Sequence, residues 1–440
     1  MNQTEPVIHV GIMSAQKIEF ILNGTFADTH GNMFSGKHTA TFEKGKIVFE
    51  NQCLDELILE PTSAENSFDL IDVVIGINFH WERKENQQFK GAIKLIVEDE
   101  QLTAINRINL EDYLRSVISS EMSATASDEL LKAHAVISRS WLLCPLQDSR
   151  AHITNHPTQE GSKDSDRFIK WYERDAHTNF DVCADDHCQR YQGITRATTA
   201  AVEKAINATR GEVLMYEGEI CDARFSKSCG GVSETFENCW APEHYPYLTK
   251  VVDNPKLPED YELDLTIEEN ADFWIRKSPE AFCNTTDKNV LSQVLNNYDQ
   301  ETTDFYRWKV EYTQAEVAGL ILRRSGLDYG QIIDLIPIKR GESGRLIELK
   351  IVGTNKTSVI GKELEIRKWL SSTHLYSSAF VVDKAEYVDG IPQKFTFTGA
   401  GWGHGVGLCQ IGAAVMGEKG YKYDKILMHY FRNAELKRIY

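Results

Sequence analysis

The chain has 440 residues, 42% of them hydrophobic, with 48 Lys and Arg against 65 Asp and Glu and a formal net charge of −17. That length and apolar content allow one large domain with insertions, or two to three smaller ones, around a substantial core. The acidic balance excludes nucleic acid as a natural partner, because phosphate recognition depends on clustered Lys and Arg, while a glycan of few charges stays compatible. No apolar run approaches the roughly 20 residues of a membrane span. The opening MNQTEPVIHVGIM has neither the basic start nor the apolar core of a secretory signal.

Residues 7 to about 85 alternate apolar and polar side chains between Gly and Asn turns, as in VIHVGIM, FILNGTF, TATFEKGKIVFE and LDELILE, which predicts a meander of short antiparallel strands. A further strand, GAIKLIVEDEQLTAINRI, leads into residues 109–143, which read as two helices joined by a polar turn. In the first, Asn109 can cap, Glu111 and Asp112 occupy the first turn, and Leu110, Leu114, Val117 and Ile118 recur at helical spacing. Glu121 continues that apolar series. A carboxylate so placed must be paired or hold its proton above the usual range, and the second condition is what general acid catalysis near neutrality needs. The second helix has Leu130, Ala133, Ile137 and Trp141 on one face together with His134, and Lys132 and Arg139 on the other. Periodicity alone favours a structural reading: a buried acid, a core histidine and a solvated basic face.

The run LEDYLRSVISSEMS followed by ELLKAHAVISRSW resembles the signature of the SpoIID/LytB family, the stage II sporulation protein D and amidase-enhancer relatives. Its characterised members are lytic transglycosylases of peptidoglycan, and the Glu of their Glu-Met pair is the catalytic acid/base. The resemblance puts that role on Glu121 and places Lys132 and Arg139 on the family's basic positions. Two departures are visible: Ser123 stands where a proline usually follows the Glu-Met pair, and His134 stands where Gln is more common. Neither touches the carboxylate.

From Cys144 to about Asp175 the composition turns polar, and residues 254–304 are polar and acidic, so both read as insertions, at about 145–176 and 254–304. Nine cysteines are spread along the chain, an odd count unlike a small disulfide scaffold. The segment HTNFDVCADDHC brings His177, Cys183, His187 and Cys188 within twelve residues, a nitrogen and sulfur set that suits tetrahedral zinc. Composition leaves a Cys183–Cys188 disulfide as an equal alternative. The resemblance implies the metal, since a His-x5-Cys followed by His-Cys is typical of the family's metal-binding subset. Four protein ligands leave no place for an activated water, so the expectation is a structural zinc site.

Two glycine-rich segments follow. Ser226-Lys227-Ser228-Cys229-Gly230-Gly231 resembles the family's Ser-x-Ser-x-Gly-Gly, with the glycines letting backbone approach a sugar and Ser226 and Ser228 bonding its hydroxyls. No Gly-x-Ser-x-Gly elbow surrounds either serine, which argues against a serine nucleophile. Cys229 can pair with Cys239, with Cys221 as a third candidate. The segment GAGWGHGVGLCQIGA imitates a nucleotide-binding loop but lacks the βαβ unit that such a loop needs. It resembles the family's Gly-x-Gly-His-Gly-Val-Gly-x-x-Gln-x-Gly-Ala, which implies substrate contact by His404 and Gln410 and a stacking surface at Trp402. Between them, Ser343-Gly344-Arg345 resembles a turn the family shares.

These observations predict an α+β fold of mixed, largely antiparallel sheets with a few helices around a cleft. The expected division is a β-rich region at 1–87 and a SpoIID-like domain at 88–440. The function the resemblance implies is a lytic transglycosylase cleaving the MurNAc–GlcNAc bond with a single Glu. The alternative is a non-catalytic glycan-binding module that stimulates a cell-wall amidase. Either substrate implies the cell envelope as the working compartment.

Overall fold

The structure is a computed structural model that describes residues 4–75, 83–123, 126–148, 166–172, 177–185, 188–195, 198–256, 263–294 and 303–440. It is an α+β fold of several mostly antiparallel sheets and helices. The strand Val7–Ala15 has Ile8 and Val10 buried, as its alternating pattern requires, and pairs antiparallel with Gln101–Asn109 in the register Ile8↔Ile108 and Val10↔Asn106. Gln101–Asn109 then pairs with Ala92–Glu98, which pairs with Glu56–Pro61. The N-terminal meander and the strands entering the helix pair therefore belong to one 11-stranded sheet. A boundary at 87/88 falls inside the strand Arg83–Phe89, where pairing runs on without a break.

Helix α1 spans Leu110–Glu121 and α2 spans Asp128–Asp148. From Ala133 to Leu143 every residue of α2 is buried. It packs against α1 and the sheet Glu212–Tyr216 on some sides and the helices Gln410–Glu418 and Tyr423–Tyr430 on others. A helix surrounded in this way has no solvated face to give to a basic pair. A second core lies at residues 308–397, where Trp308, Ile321, Ile351, Trp369 and Phe397 meet between two small sheets. Its helix Gln314–Ser325 opens on a Thr313/Glu316 capping box and closes on left-handed Gly326.

Of the first expected insertion, residues 149–165 and 173–176 lie outside the described residues, and Arg167–Ile169 adds a parallel strand beside Thr357–Gly361. Of the second, residues 263–294 carry the helices Glu268–Arg276 and Lys288–Val294 and contribute buried Trp274, Phe282 and Leu291. That stretch is therefore built into the core. Among the described residues, no helix is long and apolar enough to cross a membrane.

Candidate functional site

Glu121 is the last residue of α1 and is half-buried. The chain leaving it is fixed from outside the pair: Ser123 N–H donates to the Gln293 carbonyl at 3.0 Å and Ser127 N–H to Gln293 Oε1 at 3.1 Å. Gln293 in turn donates to Glu418 at 2.6 Å, and Lys227 Nζ donates to the neighbouring Val294 carbonyl at 2.6 Å. The helix Lys288–Val294 thus couples the turn after the acid to the Ser-Lys-Ser-Cys-Gly-Gly segment. Sequence reading missed this coupling, because nothing in NVLSQVLNNY distinguishes Gln293 from a solvated glutamine.

His134 lies where α2 meets both glycine-rich segments. It is fully buried, bonds Ser138 through Nδ1 at 3.1 Å and Gln410 through Nε2 at 3.2 Å, and sets its ring edge-on against Phe225 at 4.9 Å. Gln410 is therefore spent on the histidine, and its expected sugar contact gives way to an internal bond. Burial, helped by the charge of Lys227, lowers the His134 pKa to about 3. Below about pH 6.5 the unfolded chain takes up a proton there that the folded chain refuses, so stability falls with pH from about 6.5 towards 3, by up to roughly 1.4 kcal/mol per unit. His134→Gln is expected to flatten that slope while leaving stability near pH 8 little changed, as read by denaturant titration at stepped pH.

The basic pair on α2 is not a solvated face. Arg139 is fully buried and grips Glu111 of α1 with two bonds of 3.0 and 2.7 Å, with a third bond of 2.8 Å to the Glu212 carbonyl. Glu111 also accepts from Gly211 N–H at 3.1 Å and from the Tyr440 hydroxyl at 2.5 Å. The expected substrate contact at Arg139 is replaced by this internal clamp, since its fork has no route to solvent. Lys132 is half-buried and pairs with Glu129 at 2.9 Å.

The two glycine-rich segments lie back to back. The strand Phe225–Ser226 runs parallel to Leu408–Cys409, and Ser228 and Trp402 exchange backbone bonds of 3.0 and 2.8 Å. A Cβ on Gly230, which has φ +75°, would come within 2.6 Å of Gly401 N, so that glycine serves the contact between segments rather than an approach to sugar. Ser228 is fully buried and accepts from Gly230 N–H at 3.3 Å, which takes it out of the expected sugar contacts. Ser226 Oγ is buried and has no hydrogen-bond partner among the described residues. Gly231 accepts through its carbonyl from Asp253 N–H.

Arg345, from the Ser-Gly-Arg turn, ties these segments together. Its buried guanidinium donates to the Cys229 carbonyl at 3.3 Å, the Gly403 carbonyl at 3.2 Å and Ser343 Oγ at 3.0 Å. A Cβ on Gly405 would run into that guanidinium. Fully buried Glu234 completes the frame, accepting from Ser343 Oγ at 2.6 Å and from the backbone of Glu342 and Ser343 at 3.1 Å.

His404 is half-buried beside this frame, edge-on to Trp240 at 4.9 Å. Its Nδ1 accepts from Val406 N–H at 3.0 Å, which leaves the ring proton on Nε2. Burial, with Arg224, Arg345 and Arg367 nearby, holds its pKa well below the ordinary value, so the ring is neutral. Trp402 is half-buried and already stacks on Phe305 at 4.7 Å and against Tyr376 at 4.4 Å.

His177, Cys183 and Cys188 converge: the His177 Nε2 and Cys188 Sγ atoms are 3.4 Å apart, and all three donor atoms lie within 4.8 Å of one another. The strand Val182–Cys183 places Cys183 by running parallel to Val10–Gly11, and Phe180, stacked on His177, covers Gly11. The fourth expected ligand, His187, lies outside the described residues. Three such donors fit a soft or borderline divalent ion. Cys229 and Cys239 do not pair: Cys239 Sγ donates to the His404 carbonyl at 3.6 Å, and Cys229 Sγ lies 3.8 Å from Cys283.

Residues 98–216, which contain the helix pair and the convergent His-Cys segment, match the family model described as Stage II sporulation protein. Residues 234–407 match a Domain of unknown function (DUF8618). An uncharacterised protein of Brachyspira hyodysenteriae is 25% identical over 352 residues, covering 79% of this chain and 72% of that protein. The amidase enhancer of Bacillus subtilis is 25% identical over 336 residues, 73% of this chain but 40% of its own length. The stage II sporulation protein D of Bacillus amyloliquefaciens is 24% identical over 334 residues, 76% of this chain and 75% of its own. The match over residues 98–216 marks that stretch, helix pair included, as similar to a SpoIID domain. Together the domain match and these relatives support the SpoIID/LytB family for this chain.

Proposed function

We propose that this protein is a peptidoglycan lytic transglycosylase in which Glu121 is the sole acid/base. The observation that carries the reading is the position of Glu121: half-buried, at the carbonyl end of α1, inside the segment that matches the SpoIID model. General acid catalysis needs a carboxyl placed to hand its proton to the substrate oxygen, and the family resemblance puts that role on Glu121. Glu121 protonates the oxygen bridging MurNAc and GlcNAc as the glycosidic bond breaks. Its carboxylate then takes the proton of the C6 hydroxyl as that oxygen closes on C1. The products are a 1,6-anhydro-MurNAc end and a free GlcNAc end, and no water is consumed. His404, neutral and half-buried, is the proposed sugar contact once its ring exchanges its bond to the Phe225 backbone for one to the glycan, with Lys132 and Ser226 as further contacts. The peptidoglycan substrate places the protein's work in the cell envelope. The test is release of anhydro-muropeptides from denuded glycan strands by wild type and Glu121→Gln.

A second reading is a glycan-binding enhancer of a cell-wall amidase, as one relative is named. The internal satisfaction of Ser228, Gln410 and Arg139 favours it, because it removes three of the expected sugar contacts. It predicts glycan binding and amidase stimulation with no anhydro product from either form.

Zinc is the proposed occupant of the His177, Cys183, Cys188 cluster, in a structural role that locks the 177–188 segment against the Val7–Ala15 strand. Zn²⁺ held at 100 to 1,000 times its dissociation constant adds about 3–4 kcal/mol to stability. His177→Ala is therefore expected to lower the melting temperature of zinc-loaded protein and to retain about one metal equivalent fewer than wild type, as read by calorimetry and elemental analysis. An unchanged melting temperature and metal content would remove zinc from this site.

A further inference from the structure

We propose that Cys229, Asp253, Cys283 and Cys409 form a second, fully buried metal site, a Cys₃Asp set for a zinc-type dication that clips the two glycine-rich segments together. Their donor atoms all lie within 4.8 Å of one another, and the four residues are each 2% exposed or less. The Cys229 and Cys283 sulfurs are 3.8 Å apart. Two zinc–sulfur bonds of about 2.3 Å at a tetrahedral angle put sulfurs about 3.8 Å apart, whereas a disulfide needs about 2.05 Å. The separation suits two thiolates on one ion.

The chemistry around the four residues points the same way. An ionised carboxylate is costly to bury without a cation, and among the described residues no Lys or Arg pairs with Asp253. The outer contacts are those that orient metal ligands. Asp253 accepts from the Tyr430 hydroxyl at 2.6 Å and from Cys283 N–H at 2.8 Å, and Cys409 Sγ accepts from the backbone N–H of Cys229 at 3.2 Å and of Gly412 at 3.4 Å. Cys409 also caps the N-terminus of the Gln410–Glu418 helix, where the helix dipole favours a thiolate.

The ligands come from segments far apart in the chain, Cys229 lying 54 residues from Cys283 and 180 from Cys409. That spacing matches no zinc-finger pattern, so only the fold reveals the set. One ion here would fix the Gly230–Gly231 turn, the 263–294 stretch that holds the turn after Glu121, and the start of the Gln410 helix in one arrangement. The site is independent of the His177 cluster and of the proposed reaction.

The test uses the full chain, reduced and stripped of metal, titrated anaerobically with Co²⁺. Wild type should bind about two equivalents and His177→Ala/Cys183→Ser about one. In that double variant the thiolate-to-cobalt charge-transfer band should carry the intensity of three thiolates, with the visible bands of a tetrahedral ion, and Zn²⁺ should displace it. Adding Cys283→Ser should cut the band by about a third and weaken binding at least tenfold. Should that triple variant not fold, Zn²⁺ should protect Cys229, Cys283 and Cys409 from alkylation in the double variant, mapped by mass spectrometry. Absence of a charge-transfer band in the folded double variant overturns the proposal. So does a Cys229–Cys283 disulfide in anaerobically purified protein.

Discussion

Glu121→Gln is expected to cut release of anhydro-muropeptides from denuded glycan by a factor of about 10²–10⁴, the usual contribution of a positioned general acid. Folding should barely change. The side chain is half-buried at a helix end, where exchanging a carboxyl for an amide of the same shape preserves the packing and alters stability by about 1 kcal/mol or less. Activity and stability therefore separate cleanly, through product chromatography on one side and denaturant unfolding on the other. The loss should fall on kcat with KM little changed, because the proton is needed in the transition state and contributes little to holding the sugar. Full activity in the variant would move the acid elsewhere. No product from wild type, together with glycan binding and amidase stimulation, would establish the enhancer reading.

Arg139→Leu is expected to destabilise the protein by about 3–5 kcal/mol, because it strands the Glu111 carboxylate away from bulk solvent. Both partners are buried, Arg139 at 0% and Glu111 at 1% exposure, and the clamp joins α1 and α2 to Gly211 and to Tyr440 at the chain's end. Burial by itself would raise the Glu111 pKa. The Arg139 charge, with hydrogen bonds from Arg139, Tyr440 and Gly211, outweighs it and holds the carboxyl below the ordinary range. A depressed carboxyl stabilises the fold fully above its unfolded value, about 4.3, and that stabilisation is lost as pH falls through the folded value. Wild type should lose this increment under acid, and the variant should lack it already at neutral pH. Glu111→Gln/Arg139→Leu should recover part of the loss, since removing both charges leaves none stranded. A single-variant loss under 1 kcal/mol by urea titration would mean that the ion pair contributes little.

The helix pair, the meander and the α+β class were legible because each follows from period: alternation in VIHVGIM and the 3.6 repeat of Leu110, Leu114, Val117 and Ile118 survive into the structure unchanged. Period also located Glu121, while proximity in the sequence gathered His177, Cys183 and Cys188, which stay close in space. It misled at Arg139, because a helical wheel gives a side chain's direction and not what occupies that direction. In α2 the far side meets another element rather than solvent. The glycine-rich segments were misjudged for a related reason. Gly230 and Gly405 make room for other parts of the same chain, Gly401 and Arg345, and an approaching partner leaves no trace in local spacing.

The sequence by itself determined the local elements, the family signature and the candidate acid, since these depend on residues within a few turns of one another. Only the tertiary structure decided which polar groups are consumed internally, as His134 consumes Gln410 and Glu111 consumes Arg139. It alone brought Cys229, Asp253, Cys283 and Cys409 to one point. Contacts of long sequence separation are set by how whole sheets and helices pack, and no window along the chain contains that information.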